Sequence, residues 1–362
     1  MHDKEEIMRN LSSHYSAKIM RAFGNVDPAA KALEIIAKSL NELYRYFEPS
    51  YFNGEFLVCK NLTDQLCFKE ENGVHIYDKN ILLNRNNGIM IIQIFDDSSK
   101  MILWENEKPS DLVNRVDTLT YLFKNNKEYF FANTEKIDIT VNDKGSRYAR
   151  YFNDLIDALQ EFSVTKITKS SCKHFSESWA EGNRLFFRGG GSGNNIPEKF
   201  MQLSLYEYLK TVFARGISME SSREYNINGD FNKPKPVDIK IQWREANRTA
   251  LIEVKFMGTV KKEADGKIHA YTDLKANAGI TQLKEYHDNA CSDTPTTIIK
   301  SFLVVIDGRR NNLTADKTTI NIADGMHFKN IDIVIDNDKK YHESIVAFEK
   351  PIRMFAEPIC SL

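Results

Sequence analysis

Residues 236–243 (PVDIKIQW) and 250–256 (ALIEVKF) constrain this chain more than any other part of it. Both alternate apolar and polar side chains, and the stretch between them opens with the mostly polar Arg244-Glu245-Ala246-Asn247. A period of two marks a strand with one apolar face, and a short polar connection closes two such strands into a hairpin. Pairing around that turn sets Trp243 against Arg248 and Asp238 opposite Glu253. Asp238, Lys240, Gln242, Glu253 and Lys255 then share one face, and Val237, Ile239, Ile241, Trp243, Ile252, Val254 and Phe256 the other.

Two carboxylates and an ammonium therefore converge. Carboxylates this close repel each other, and a hard divalent cation relieves the repulsion. Mg²⁺, or Mn²⁺ in its place, favours one or two carboxylates completed by waters and phosphate oxygens, so Asp238 and Glu253 are the expected ligands and the Val254 carbonyl an available third. Such an ion polarises a phosphoryl oxygen and acidifies a bound water. A lysine at the position of Lys255 orients or deprotonates that water and offsets charge on the phosphorus. This residue set suits metal-assisted phosphodiester cleavage.

Pro236-Val237-Asp238 followed by Glu253-Val254-Lys255 resembles the motif of the PD-(D/E)xK nuclease superfamily, with one residue inserted between the proline and the aspartate. Further on, Gln282-x-x-x-Tyr286 is similar to the Q-x-x-x-Y element of its exonuclease-like branch, and that spacing sets both side chains on one helix face. Members of the superfamily also carry a glutamate on the helix before the catalytic strands. Glu198 fits that place, one turn before Gln202, and Glu207 is the alternative. The resemblance covers about residues 197–307 and implies a restriction-endonuclease-like αβββαβ core with a mixed central sheet. It further implies a catalytic set of Asp238, Glu253, Lys255, Gln282 and Glu198, and hydrolysis of DNA to leave a 5′-phosphate. A chain of this kind looks like a restriction or anti-phage defence endonuclease, with DNA and either a second copy or a defence-complex protein as partners. Two other classes stay open: a non-catalytic nucleic-acid-binding or assembly module of the same fold, and a nuclease for RNA or branched DNA in repair.

The rest of the chain frames this α/β domain. Its 362 residues, 42% hydrophobic and 27% charged, fit two folded domains and exclude a disordered or low-complexity chain. No apolar run reaches the ~18 residues of a membrane span, so no membrane association is expected. The polar N-terminus and five scattered cysteines without a C-x-x-C pair point to a reducing cytoplasm. Charge is uneven, with 20 Lys+Arg against 25 Asp+Glu in residues 1–165 and 29 against 25 thereafter. The C-terminal part is thus the better partner for a polyanion.

Residues 1–165 are expected to form an α+β recognition, sensor or partner region. Its helices are expected over 4–23, 28–47, 110–123 and 145–162, with antiparallel strands between 51 and 107 and near 129–131 and 137–141. Residues 166–196, ending in Gly189-Gly190-Gly191-Ser192-Gly193, are read as a linker. The nuclease-like domain then occupies 197–362, with further strands expected over 224–227, 302–307 and 331–336. No H-x-x-x-H pair or G-x-S-x-G elbow offers a competing zinc or serine hydrolase site.

Overall fold

The computed structural model describes residues 26–138, 146–189, 196–213, 218–221 and 237–361, apart from 84, 86, 98, 147 and 150, together with 19, 22 and 23. The expected helix over 4–23, the strand over 224–227, Pro236 and residues 190–195 of the glycine-rich run fall largely or wholly outside the described residues. The chain divides into two compact units, Met1–Asn153 and Asp154–Leu362.

In the first unit, α1 (Val26–Leu43) precedes β1 (Asn53–Asn61), β2 (Val74–His75), β3 (Asn87–Ile94) and β4 (Met101–Trp104). A single-turn α2 (Pro109–Val113) then leads to β5 (Thr118–Lys124), β6 (Lys127–Ala132) and β7 (Glu135–Asp138). They form one seven-stranded sheet in the order β2-β4-β3-β1-β5-β6-β7. The expected all-antiparallel pairing is corrected at its centre, where β1 and β3 run parallel from Asn53↔Asn87 to Lys60↔Ile94. A second correction concerns residues 110–123. Helix ends at Val113, and TLTYLFK is a strand, because β-branched and aromatic residues fit a pleated surface buried on both sides. Ala29, Leu33, Ile36 and Leu40, spaced as one helix stripe, pack with Phe56, Val58 and Tyr121 on one sheet face, and Leu57, Cys59, Ile91 and Trp104 fill the other.

The second unit begins within α3 (Tyr151–Phe162), three residues after its start, and continues with a π-helical turn at Ser163–Ile167 and the single-turn α4 (Lys173–Ser176), followed by β8 (Phe187–Gly189). The expected linker is therefore corrected over 166–189. These residues are folded into the second unit, with β8 paired to the central strand and Trp179 stacked 4.1 Å from Phe187. Next come α5 (Ile196–Val212), β9 (Ser218–Ser221), β10 (Ile239–Trp243), β11 (Arg248–Lys262), β12 (Ile268–Tyr271), α6 (Asp273–Asp293), β13 (Ile298–Gly308) and β14 (Ile352–Phe355). The sheet is mixed: β9, β10 and β11 are antiparallel neighbours, whereas β11, β13 and β14 are parallel, with α6 as the crossover between β11 and β13.

β11 is the spine. Its first part lies between β10 and β13, and from Gly258 it changes partners to β12 and, further along, β8. The switch needs Gly258, whose φ of +140° disfavours a side chain and whose added Cβ would lie 2.6 Å from the Phe187 ring and 2.9 Å from the Gly308 carbonyl oxygen. Near the end of β13, the fully buried Asp307 accepts from Arg309 (2.8 Å) and Arg353 (2.7 Å), and Arg309 also reaches Asp273 at 3.5 Å, fixing the first turn of α6. Residues 331–336, expected as a strand, have no strand partner. Asp273 and Asn277 of α6 hydrogen-bond Val334 and Asp336 there instead. Gly258→Ala should cost about 2–4 kcal/mol, from the φ penalty and overpacking together. Gly182→Ala, whose methyl meets nothing within 4 Å, should stay within ~0.5 kcal/mol. Paired denaturant titrations of the two variants check this.

Candidate active site

The hairpin has the expected register, from Ile239↔Ile252 to Trp243↔Arg248, with a 3₁₀ turn at Arg244–Ala246 and Asn247 in the left-handed region. Extending it by one pair sets Asp238 opposite Glu253. β10 begins only at Ile239, and Val237, expected on the opposite face, packs with Leu251, Ile280 and Leu283 in the core under α6. The chain leaves the pleat there, which breaks the alternation.

Asp238 is anchored at both oxygens. Its Oδ2 accepts the Val254 backbone N–H at 2.7 Å, and its Oδ1 accepts from the Gln202 amide on α5. Because N–H and C=O of one strand residue point to the same neighbour, the Val254 carbonyl also faces this side. Glu253 and Lys255 project from β11 toward α6. Lys255 Nζ lies 2.5 Å from Glu253 Oε1 and 3.0 Å from Glu198 Oε1, and Glu198 Oε2 lies 3.2 Å from Lys275 Nζ. Asp238, Glu253 and Lys255 are all buried, with Glu253 only 2% exposed. Gly279, in the middle of α6, lets the helix pass against the lysine stem. A Cβ there would come within 2.7 Å of Lys255 Cγ, which explains a residue that costs a helix interior about 1 kcal/mol.

Of the sequence-predicted residues, Asp238, Glu253, Lys255 and Glu198 come together, with Val254 alongside. Glu207 does not join them, since it pairs with His174 (Nε2 to Oε2, 2.8 Å). Gln282 is exposed, one helical turn beyond Gly279, and takes no part in these hydrogen bonds. Tyr286 is buried in the core below it. The glutamine that binds a site carboxylate is Gln202. Its signal was the Glu198-x-x-x-Gln202 spacing, which sets both side chains on one face of α5. Lys275, which completes the cluster from the first turn of α6, stands in the sequence only as one of many basic residues interleaved with aromatics that could line a phosphate-binding groove.

Burial governs the electrostatics. Desolvation, reinforced by the charge of Glu253, pushes the Asp238 carboxyl well above its ordinary range. Desolvation likewise raises Glu253 to about 7 against the opposing pull of Lys255. Burial alone would lower Lys255, but Glu253, Glu198 and Asp238 outweigh it and keep the ammonium charged. Tyr286 is raised by burial and then by the same carboxylates.

The residues fit a hard divalent cation. Glu253 Oε2 is buried with no hydrogen-bond partner among the described residues. Such an orphan costs roughly 1–3 kcal/mol, more when charged, unless something satisfies it. The donors are oxygens, which suit Mg²⁺ or Mn²⁺. Among the described residues no three His, Cys, Asp or Glu form a ready-made cage. Mg²⁺ bound through two carboxylates, waters and substrate phosphate needs none.

No family model, curated protein or solved structure matches the chain. Among the described residues no helix is long and apolar enough to cross a membrane.

The raised carboxyls set a pH dependence. Between the ordinary carboxylate range and about pH 7, the folded metal-free protein keeps protons on Asp238 and Glu253 that the unfolded chain has released. Stability is therefore greatest in mild acid and falls as pH rises through that window. The metal-free protein should melt several degrees lower at pH 8 than at pH 5.5, since 1 kcal/mol moves Tm by about 2–4 °C in a domain of this size. Glu253→Gln should flatten the dependence, and calorimetric scans across pH read both.

Proposed function

We propose that the second unit is a Mg²⁺-dependent nuclease that hydrolyses DNA phosphodiester bonds, in the manner of the PD-(D/E)xK superfamily. The observation that carries this reading is the buried Asp238–Glu253–Lys255–Glu198 cluster, drawn from three separate segments, with one carboxylate oxygen unpaired. Burying such charges costs several kcal/mol per ion, an expense that a purely structural strand avoids by using apolar residues. The order α5-β9-β10-β11-β12-α6-β13, in which the short β12 lies off the main sheet path as a partner of β11, supports the αβββαβ core that the resemblance implies. A role in restriction or anti-phage defence belongs to the same proposal and rests on kinship of motif alone.

Asp238 and Glu253, with the Val254 carbonyl, would hold the metal. Bound there, it would neutralise the two carboxylates, polarise a phosphoryl oxygen and acidify a water. Gln202 and the Val254 N–H fix the Asp238 carboxylate, so one of its lone-pair directions is preset. Lys255, held between Glu253 and Glu198, would orient the attacking water and offset negative charge on phosphorus. Glu198 holds Lys255 in place from α5.

Nicking of supercoiled plasmid with Mg²⁺ tests this. Asp238→Asn, Glu253→Gln and Lys255→Met should each lower the rate by about 10²–10⁴-fold. Gln202→Ala should lower it by about 10–100-fold through the ligand it orients. Equal activity in all variants removes the site, and a wild type inactive with Mg²⁺ and Mn²⁺ removes the enzyme. A panel of duplex, single-stranded and branched DNA and of RNA settles the substrate.

A further inference from the structure

We infer that Lys275 binds the substrate's phosphate at the mouth of this site, and that Glu198 holds it there until substrate arrives. This inference rests on the nuclease reading and adds the direction of approach and a residue that meets the nucleic acid.

Solvent access rises steadily across the cluster. The side chains of Glu253 and Lys255 are 2% and 5% exposed, Glu198 is 15% and Lys275 is 23%. The gradient points to an approach to the buried carboxylates past Glu198 and Lys275. Of the two ammonium groups in the cluster, Lys275 is the more exposed.

Nothing in the fold requires a lysine at that position. It lies in the first turn of α6, where the helix dipole favours acidic side chains and opposes a cation. Glu198 already has an ammonium partner in Lys255, at 3.0 Å, so Lys275 at 3.2 Å is a second cation on one carboxylate. Among the described residues the buried Glu253 Oε2 has no hydrogen-bond partner. The Lys275 ammonium is set beside two rings, 5.7 Å from the Phe256 centroid and 5.6 Å from Tyr271, which limits its wandering while leaving it accessible.

A partly exposed Lys–Glu pair is weak, so a phosphate oxygen can displace the carboxylate. A compact ammonium suits one non-bridging oxygen as a point charge. Lys255, held among three carboxylates, is left to the water and the phosphorus.

Cleavage of a short duplex with Mg²⁺ by wild type, Lys275→Met and Lys275→Arg tests the assignment, together with the salt dependence of binding measured by anisotropy in Ca²⁺. Methionine keeps the stem between the two rings, and arginine keeps the charge. Lys275→Met should raise KM at least tenfold with a smaller change in kcat, and reduce the slope of log affinity against log salt by about 0.9, the value for one lost phosphate contact. Lys275→Arg should recover most of both. Unchanged KM and salt slope in Lys275→Met would overturn the inference while the nuclease reading stood. So would a fall in kcat alone, because a lysine that merely props Glu198 acts through Lys255. A wild type that neither cuts nor binds the duplex removes the nuclease reading itself, and this inference with it.

Discussion

The charges on β11 are the constraint around which the second unit is organised. A strand with neighbours on both sides and both faces covered ordinarily reads as a continuous apolar run. β11 instead carries Glu253 and Lys255 at its centre, buried to 2% and 4% exposure. Neither is tolerable alone. The carboxylate needs the ammonium 2.5 Å away, and the ammonium needs Glu198 from a helix distant in sequence. Even so the pairing is incomplete, since Asp238 and Glu253 both have raised pKa values and one oxygen is orphaned. A cluster left short of positive charge in this way favours a cation over the empty site.

The surrounding fold supplies what the cluster demands. α6 crosses from β11 to β13 close enough that Gly279 touches the lysine stem, which holds Lys255 at its carboxylates. The first turn of α6, which carries Lys275, is tied through Asp273 to Arg309 and so to the buried Asp307 on β13. α5 contributes Glu198 and Gln202 from successive turns, each engaging a different member of the site. The polar residues are therefore held by rigid elements, as a site that must present atoms within fractions of an ångström requires.

The first unit solves burial differently. Its sheet packs α1 on one face through aliphatic and aromatic contacts, and its buried polar cluster is closed on itself. Tyr44 and Tyr121 share a 2.8 Å hydrogen bond, and Tyr121 donates to Glu128 at 2.7 Å, with Ser146 donating to the same carboxylate. Burial and the nearby carboxylate raise both phenols, which keeps them as neutral donors. A cluster so satisfied specifies packing, in contrast to the orphaned oxygen on β11.

Local pattern and spacing, read in the sequence, determined the hairpin, its register and the convergence of Asp238 with Glu253 and Lys255. These follow from a period of two and a short connection, which are properties of neighbouring residues. Local spacing also set Glu198 and Gln202 on one face of a helix. What it left open, tertiary structure decided: that Glu198 and not Glu207 reaches Lys255, that Gln202 binds Asp238 while Gln282 stays exposed, and that Lys275 completes the cluster. Residues 118–124 became a strand against helical expectation, and β1 and β3 paired parallel. The reason is common to all of these. Strand partners, helix docking and the desolvation that raises a carboxyl's pKa depend on segments far apart in the chain, and no local spacing encodes which of them will meet.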